Sequence, residues 1–131
     1  MKYFDYANLN EKQQEELQNI IAKHFDGHKV DLGYDMFDDG LYIRLDNNDY
    51  VMSTFNFATL GNVDLAVDYN MFFAKNFGED YIEFSKHEIE MQMNCLEMND
   101  KKQLQTYNYL KSLKDTLEPK YNRILEENET L

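Results

Sequence analysis

Apolar positions along this chain recur first at the period of a helix, then at that of a strand, then at the helical period again. Leu17, Ile20, Ile21 and Phe25, with His24 among them, fall at helical spacing. Asn10 precedes them as an N-cap residue with Gln13 three positions on, and Asp26-Gly27 supplies a stop. A helix over about 10–25 is predicted. Val30, Leu32, Tyr34 and Met36 then alternate with Lys29, Asp31, Gly33 and Asp35, the period of a strand with one buried face. Asp38-Asp39-Gly40 turns the chain, and Leu41, Ile43 and Leu45 alternate with Tyr42 and Arg44. After a second turn at "DNND", Val51, Ser53, Phe55 and Phe57 continue the alternation, so an antiparallel meander of three strands is expected.

Beyond Gly61 two periods compete. Val63, Leu65, Val67 and Tyr69 alternate, but Leu65, Tyr69, Phe72 and Phe73 fit i, i+4, i+7, i+8, and Gly78 stands where a helix ends; a helix over about 63–77 is preferred to a fourth strand. Tyr81, Ile82 and Phe84 fit a short strand or a packed loop. The capping-box pattern Ser85-Lys86-His87-Glu88 predicts a helix over 86–98, against the rival alternation of Ile89, Met91 and Met93. Asn99-Asp100 caps a further start. Leu110, Leu113, Leu117, Tyr121, Ile124 and Leu125 then carry an apolar stripe to the end, and Pro119, which lacks an N–H, kinks that helix or opens a new one. The expected class is α+β: an N-terminal helix, a three-stranded antiparallel meander, then three to four helices (α-βββ-α-α-α). At 131 residues the expectation is a single compact domain over 1–131.

Charge changes this picture more than composition does. The net charge of −12 is concentrated in the middle: residues 31–80 carry ten acids and two bases, whereas residues 101–131 carry five acids and six bases. Such a surface repels nucleic acid and anionic membranes and attracts basic surfaces, so direct nucleic-acid binding and membrane association are not expected. Cys95 is the only cysteine, which rules out an internal disulfide and removes any demand for an oxidising compartment. No run nears the roughly 18 apolar residues of a membrane span, and "MKYFDYANLN" has no apolar signal region; a cytoplasmic protein is expected.

Catalytic and metal chemistry find little to stand on. His24 and His28 are four apart, but a helix ending at Gly27 would separate them, and His87 or Cys95 would have to be brought in by the fold to complete a zinc site. "DMFDDG" fails as a calcium loop, because Phe37 occupies the third position and no Glu follows at the twelfth. Cys95, among Met91, Met93, Leu96 and Met98, is expected to be an inert core residue. His87-Glu88 lacks the second histidine of a zinc protease, and the five glycines make no phosphate cradle. No enzyme activity, catalytic residue, metal ion or cofactor is expected.

What remains is the acid cluster. Asp is a good turn residue, which accounts for Asp38, Asp39, Asp46 and Asp49 one by one, but not for the missing bases. A surface selected for stability mixes signs, since like charges one helical turn apart, such as Asp64 and Asp68, oppose folding. Tyr42 and Tyr50, expected on the outer or rim face beside these acids, would supply amphipathic anchors. The predicted partner-binding set is Asp35, Asp38, Asp39, Tyr42, Asp46, Asp49, Tyr50, Asp64, Asp68, Glu79, Asp80 and Glu83, facing a basic protein surface. Leu110, Leu117, Ile124 and Leu131 recur every seven residues, which would allow a homodimer through the C-terminal helix.

The acidic hairpin "LYIRLDNNDYVMST" within a helix-meander-helix order, followed by "FGEDYIEF", resembles the small acidic prophage-encoded anti-CRISPR proteins that block type II nucleases by mimicking DNA. The resemblance spans about residues 10–85 and leaves the C-terminal helices without counterpart. It implies a bacterial host and occupation of the groove in which arginines read the PAM duplex. By analogy Asp38, Asp39, Asp46, Asp49 and the acids of 79–83 would make the contacts. An immunity protein neutralising a basic toxin nuclease, or a dimeric acidic effector chaperone, is the alternative of another class.

Overall fold

The structure is a computed structural model that describes residues 9–35, 40–46, 48–52 and 63–129. Contacts gather the chain into two compact units, Met1–Ser53 and Thr54–Leu131, where the length alone suggests one domain.

In the first unit α1 (Glu11–Ala22) starts as the sequence predicts. Asn10 accepts from the Gln13 N–H at 2.8 Å while the Gln13 side chain accepts from the Asn10 N–H at 3.0 Å, a complete capping box. The helix stops at Ala22, short of the predicted residue 25, and the chain turns through Gly27, whose φ of +83° suits glycine. Leu17 and Ile21 are fully buried, and Gln18 Nε2 donates to the Val30 carbonyl at 2.9 Å, tying α1 to the next element. β1 (Val30–Asp35), β2 (Gly40–Leu45) and β3 (Asn48–Met52) pair antiparallel in the order β1-β2-β3. Their register aligns Leu32, Ile43 and Tyr50 in one row and Asp31, Arg44 and Asp49 in the next. Met36, the turn at 38–39, and Ser53, Phe55 and Phe57 lie outside the described residues.

The second unit is helical throughout its described residues: α2 (Val63–Phe77), α3 (Glu79–Asn94) and α4 (Lys101–Glu129). α2 is its centre, with Leu65, Ala66, Phe73 and Ala74 all fully buried. Phe73 packs at ring-centroid distances of 4.9 Å from Tyr69, 5.5 Å from Phe72, 5.9 Å from Phe77 and 5.4 Å from Tyr81. Gly78 is the whole joint between α2 and α3. Its φ of 71° and ψ of −144° belong to a region open almost only to glycine. It closes one helix by donating to Ala74 O at 2.8 Å, and it starts the next by accepting from the Ile82 N–H at 3.1 Å. Asp100 caps α4, its Oδ1 accepting from the Lys102 N–H at 2.9 Å.

The fold class expected from the sequence is overturned, because the protein is mostly helical. Among the described residues, helices of 12, 15, 16 and 29 residues outweigh strands of 6, 6 and 5, and those strands all lie in the first unit. The physical reason lies in 63–129, where apolar residues keep a helical period with breaks only at Gly78 and at 95–100. Two local expectations fall with it. Residues 81–84 are neither strand nor loop but part of the first two turns of α3, and Ser85 is inside that helix rather than at its cap. Of the two alternatives at Pro119, the opening of a new helix is the one that falls; the proline sits within the single helix α4. Leu110, Leu113, Leu117 and Tyr121 are all buried inside the chain, so most of the C-terminal stripe is spent on intramolecular packing.

Candidate anionic surface

The acids of the predicted set fall in both units. In the first, Asp46 is already engaged. It adopts φ 52°, a left-handed conformation that Asp tolerates better than most residues. Its Oδ1 accepts from the Lys29 N–H at 2.9 Å, its Oδ2 lies 2.5 Å from His28 Nδ1, and its own N–H donates to Lys29 O at 3.0 Å. Both carboxylate oxygens therefore serve to fasten the β2–β3 turn to the entry of β1. Foremost the His28 hydrogen bond, then that from the Lys29 backbone, holds the Asp46 carboxyl below the usual carboxylate range.

A pH dependence follows from this clamp. With its folded pKa depressed, Asp46 stabilises the fold fully above the unfolded value of about 3.9, and that contribution is lost as pH falls through the lower folded value. Asp46→Asn is expected to flatten the acid limb of a plot of melting temperature against pH below about pH 4. Superimposable acid limbs for the two proteins would contradict the clamp.

In the register Asp49 of β3 is opposite Arg44 of β2, whose other neighbour is Asp31 of β1. Lys29 lies 3.8 Å from Asp31. Asp35 closes the β1–β2 ladder opposite Gly40, and Tyr42 is aligned with Gly33 and Val51. Tyr50 is aligned with Ile43, in the row of apolar residues rather than that of Asp31 and Asp49. Asp38 and Asp39 lie outside the described residues.

In the second unit the predicted acids are all exposed: Asp64 and Asp68 one turn apart on α2, and Glu79, Asp80 and Glu83 in the opening turns of α3. Residues 63–85 hold these five acids and one base, Lys75. Asp64, Glu79 and Asp80 lie in first helical turns, where the dipole favours a negative charge by about 0.3–1 kcal/mol. Glu83 lies beyond that turn and Asp68 repeats the charge of Asp64, so helix electrostatics explains neither.

The sequence does not announce the second polar feature of this unit, which is buried. Asn70 is 1% exposed; its Oδ1 accepts from Tyr81 Oη at 2.6 Å and from Ser85 Oγ at 3.0 Å, and its Nδ2 donates to Ala66 O at 2.7 Å. Ser85 Oγ also lies 2.7 Å from Tyr121 Oη. Ser85 has one proton, and an amide oxygen only accepts, so Tyr121 must be the donor to Ser85. The direction is thereby set from end to end: Tyr121 to Ser85 to Asn70, with Tyr81 joining at Asn70. Burial pushes both phenols well above their ordinary range, which keeps them protonated as donors. This network joins all three helices of the unit, and every buried side-chain polar atom among the described residues has a partner. The legible signal was a lone amide inside the apolar run "LAVDYNMFFA".

Between α3 and α4 a cleft of about 270 Å³ is floored by Ile89, Leu117 and Tyr121 and edged by Lys86, Glu118 and a Lys114–Glu90 ion pair of 3.2 Å. Its rim charges are mixed. Cys95, expected in the core, is exposed instead, because α3 buries the face of Tyr81, Ile82, Ser85 and Ile89 and Cys95 lies off it. Among the described residues no three His, Cys, Asp or Glu side chains are grouped to hold a metal ion, and no helix is long and apolar enough to cross a membrane. Comparison with known proteins finds no matching family model, no similar curated protein and no similar solved structure.

Proposed function

We propose that this chain is a non-enzymatic acidic binding protein that inhibits a nucleic-acid-handling enzyme by presenting carboxylates where the enzyme expects phosphates. One observation carries the reading: residues 63–85 expose five acids to one base, and among the described residues Asp64, Glu79 and Glu83 have no ion-pair partner. A surface built only for stability would neutralise such charges, because opposite charges at i, i+4 each contribute a few tenths of a kcal/mol. Exposed carboxylates gain most when a cationic cleft covers them, displacing counterions and water. The resemblance to anti-CRISPR DNA mimics supplies the candidate partner, a type II CRISPR nuclease, and with it action in the cytoplasm of a bacterial host.

The test is binding to a guide-loaded type II CRISPR nuclease and, in parallel, to a basic toxin nuclease, as a function of salt. Affinity for the CRISPR nuclease is expected to fall by roughly tenfold or more between about 0.1 and 0.5 M salt. It should fall in graded steps as Asp64→Asn, Asp68→Asn, Glu79→Gln, Asp80→Asn and Glu83→Gln accumulate. Binding to the toxin nuclease alone would replace this reading with that of an immunity protein. Binding to neither, or binding indifferent to salt and to all five substitutions, would end it.

A further inference from the structure

The exposed side of α3 carries an apolar line as well as acids. Phe84 and Met91 are 43% and 49% exposed, and their separation of seven residues sets them on one side of the helix, about 10.5 Å apart along its axis. Cys95, the C-cap residue, keeps helical backbone (φ −84°, ψ −6°), continues the same line four residues later and is exposed. Asp80 and Glu88 stand one turn before and one turn after Phe84, and residues 79–98 as a whole hold six acids and one base. An aromatic ring, a thioether and a thiol in a row make an adaptable apolar ridge, and here its borders are anionic.

We propose that the Phe84–Met91–Cys95 line of α3 is a docking surface for a cationic amphipathic helix of a partner protein. Charge complementarity selects this occupant. The apolar stripe of such a helix would cover Phe84 and Met91 while the lysines and arginines beside its stripe would meet Asp80 and Glu88. A second copy of this chain is a poor occupant, since a two-fold interface would set six acids and one base against the same set, between chains of net charge −12. An anionic membrane is repelled for the same reason. The inference shares Asp80 with the mimicry reading but differs from it in needing the apolar line and none of the acids of α2.

Cys95, the chain's one thiol, reports on the line directly. The probe is an 18-residue peptide of Leu and Lys with Leu at helical spacing; a scrambled peptide of the same composition and a Leu/Glu counterpart are the controls. At a concentration about ten times its Kd the Leu/Lys helix is expected to slow modification of Cys95 by a disulfide reagent about tenfold. Neither control should protect. Phe84→Ser with Met91→Ser, both at exposed positions, should abolish protection with the circular dichroism unchanged, whereas Asp64→Asn with Asp68→Asn should leave it intact and so separate this surface from the mimicry reading. Unchanged modification with the Leu/Lys helix, or equal protection by the scrambled peptide, would overturn the proposal. So would a sedimenting dimer whose Cys95 is protected without any peptide.

Discussion

Asn70→Leu is expected to lower the unfolding free energy by about 3–5 kcal/mol, since a buried donor left without its acceptor costs about 1–3 kcal/mol and this substitution strands two. Tyr81 Oη and Ser85 Oγ both donate to Asn70 Oδ1, and at 1% exposure no solvent reaches the site to replace that acceptor. The loss is a large share of the 5–15 kcal/mol typical of a folded domain. Tyr121→Phe tests the direction of the chain of hydrogen bonds. It removes only the donor at the far end, Ser85 keeps its bond to Asn70, and the expected loss is about 1 kcal/mol. Urea unfolding monitored by circular dichroism reads both. Equal losses for the two variants would show that the network is not ordered toward Asn70.

Phe73→Ala is expected to cost about 3–5 kcal/mol, by deleting a buried ring and leaving a cavity its neighbours cannot fill. The ring contacts four other aromatic side chains, three of them on its own helix, so the site has little freedom to collapse. One of the four is Tyr81, which also donates to Asn70. Combined with Asn70→Leu, the change should therefore be non-additive, with an interaction term of about 0.5–3 kcal/mol. Strict additivity would mean that Phe73 does not hold the Tyr81 ring in place for its hydrogen bond.

Much of this arrangement was legible in particular residues. Asn10 with Gln13 marks the start of α1 because a capping box is local, needing nothing from the rest of the fold. The i, i+4, i+7, i+8 pattern of Leu65, Tyr69, Phe72 and Phe73 identifies α2 to the residue, since it is buried at that period and ends at a glycine. The start of α3 was hidden by the same glycine. A stop followed at once by a new helix leaves no room for a capping side chain, and Gly78 offers none. Tyr81, Ile82, Ser85 and Ile89 do fit one helical face, but only when Ser85 counts as buried, and a hydroxyl reads as surface until its partners on α2 and α4 are known. Cys95 reads as core because its neighbours in sequence are apolar, whereas burial follows the angle around the helix. Among the candidate site residues, the exposure of Asp64, Asp68, Glu79, Asp80 and Glu83 follows from charge, but the engagement of Asp46 with His28 and Lys29 depends on a turn geometry no spacing rule encodes.

The single-residue joint at Gly78 also bears on how the helical unit assembles. Loop-closure entropy rises with the length of chain between two groups, and Asn70 meets Tyr81 across 11 positions while Ser85 meets Tyr121 across 36. The α2–α3 pair can thus close rapidly as a nucleus from nearby segments, and α4 docks onto it in a later, slower search. The expected first event on the path to this unit is set by a glycine that carries no side chain at all.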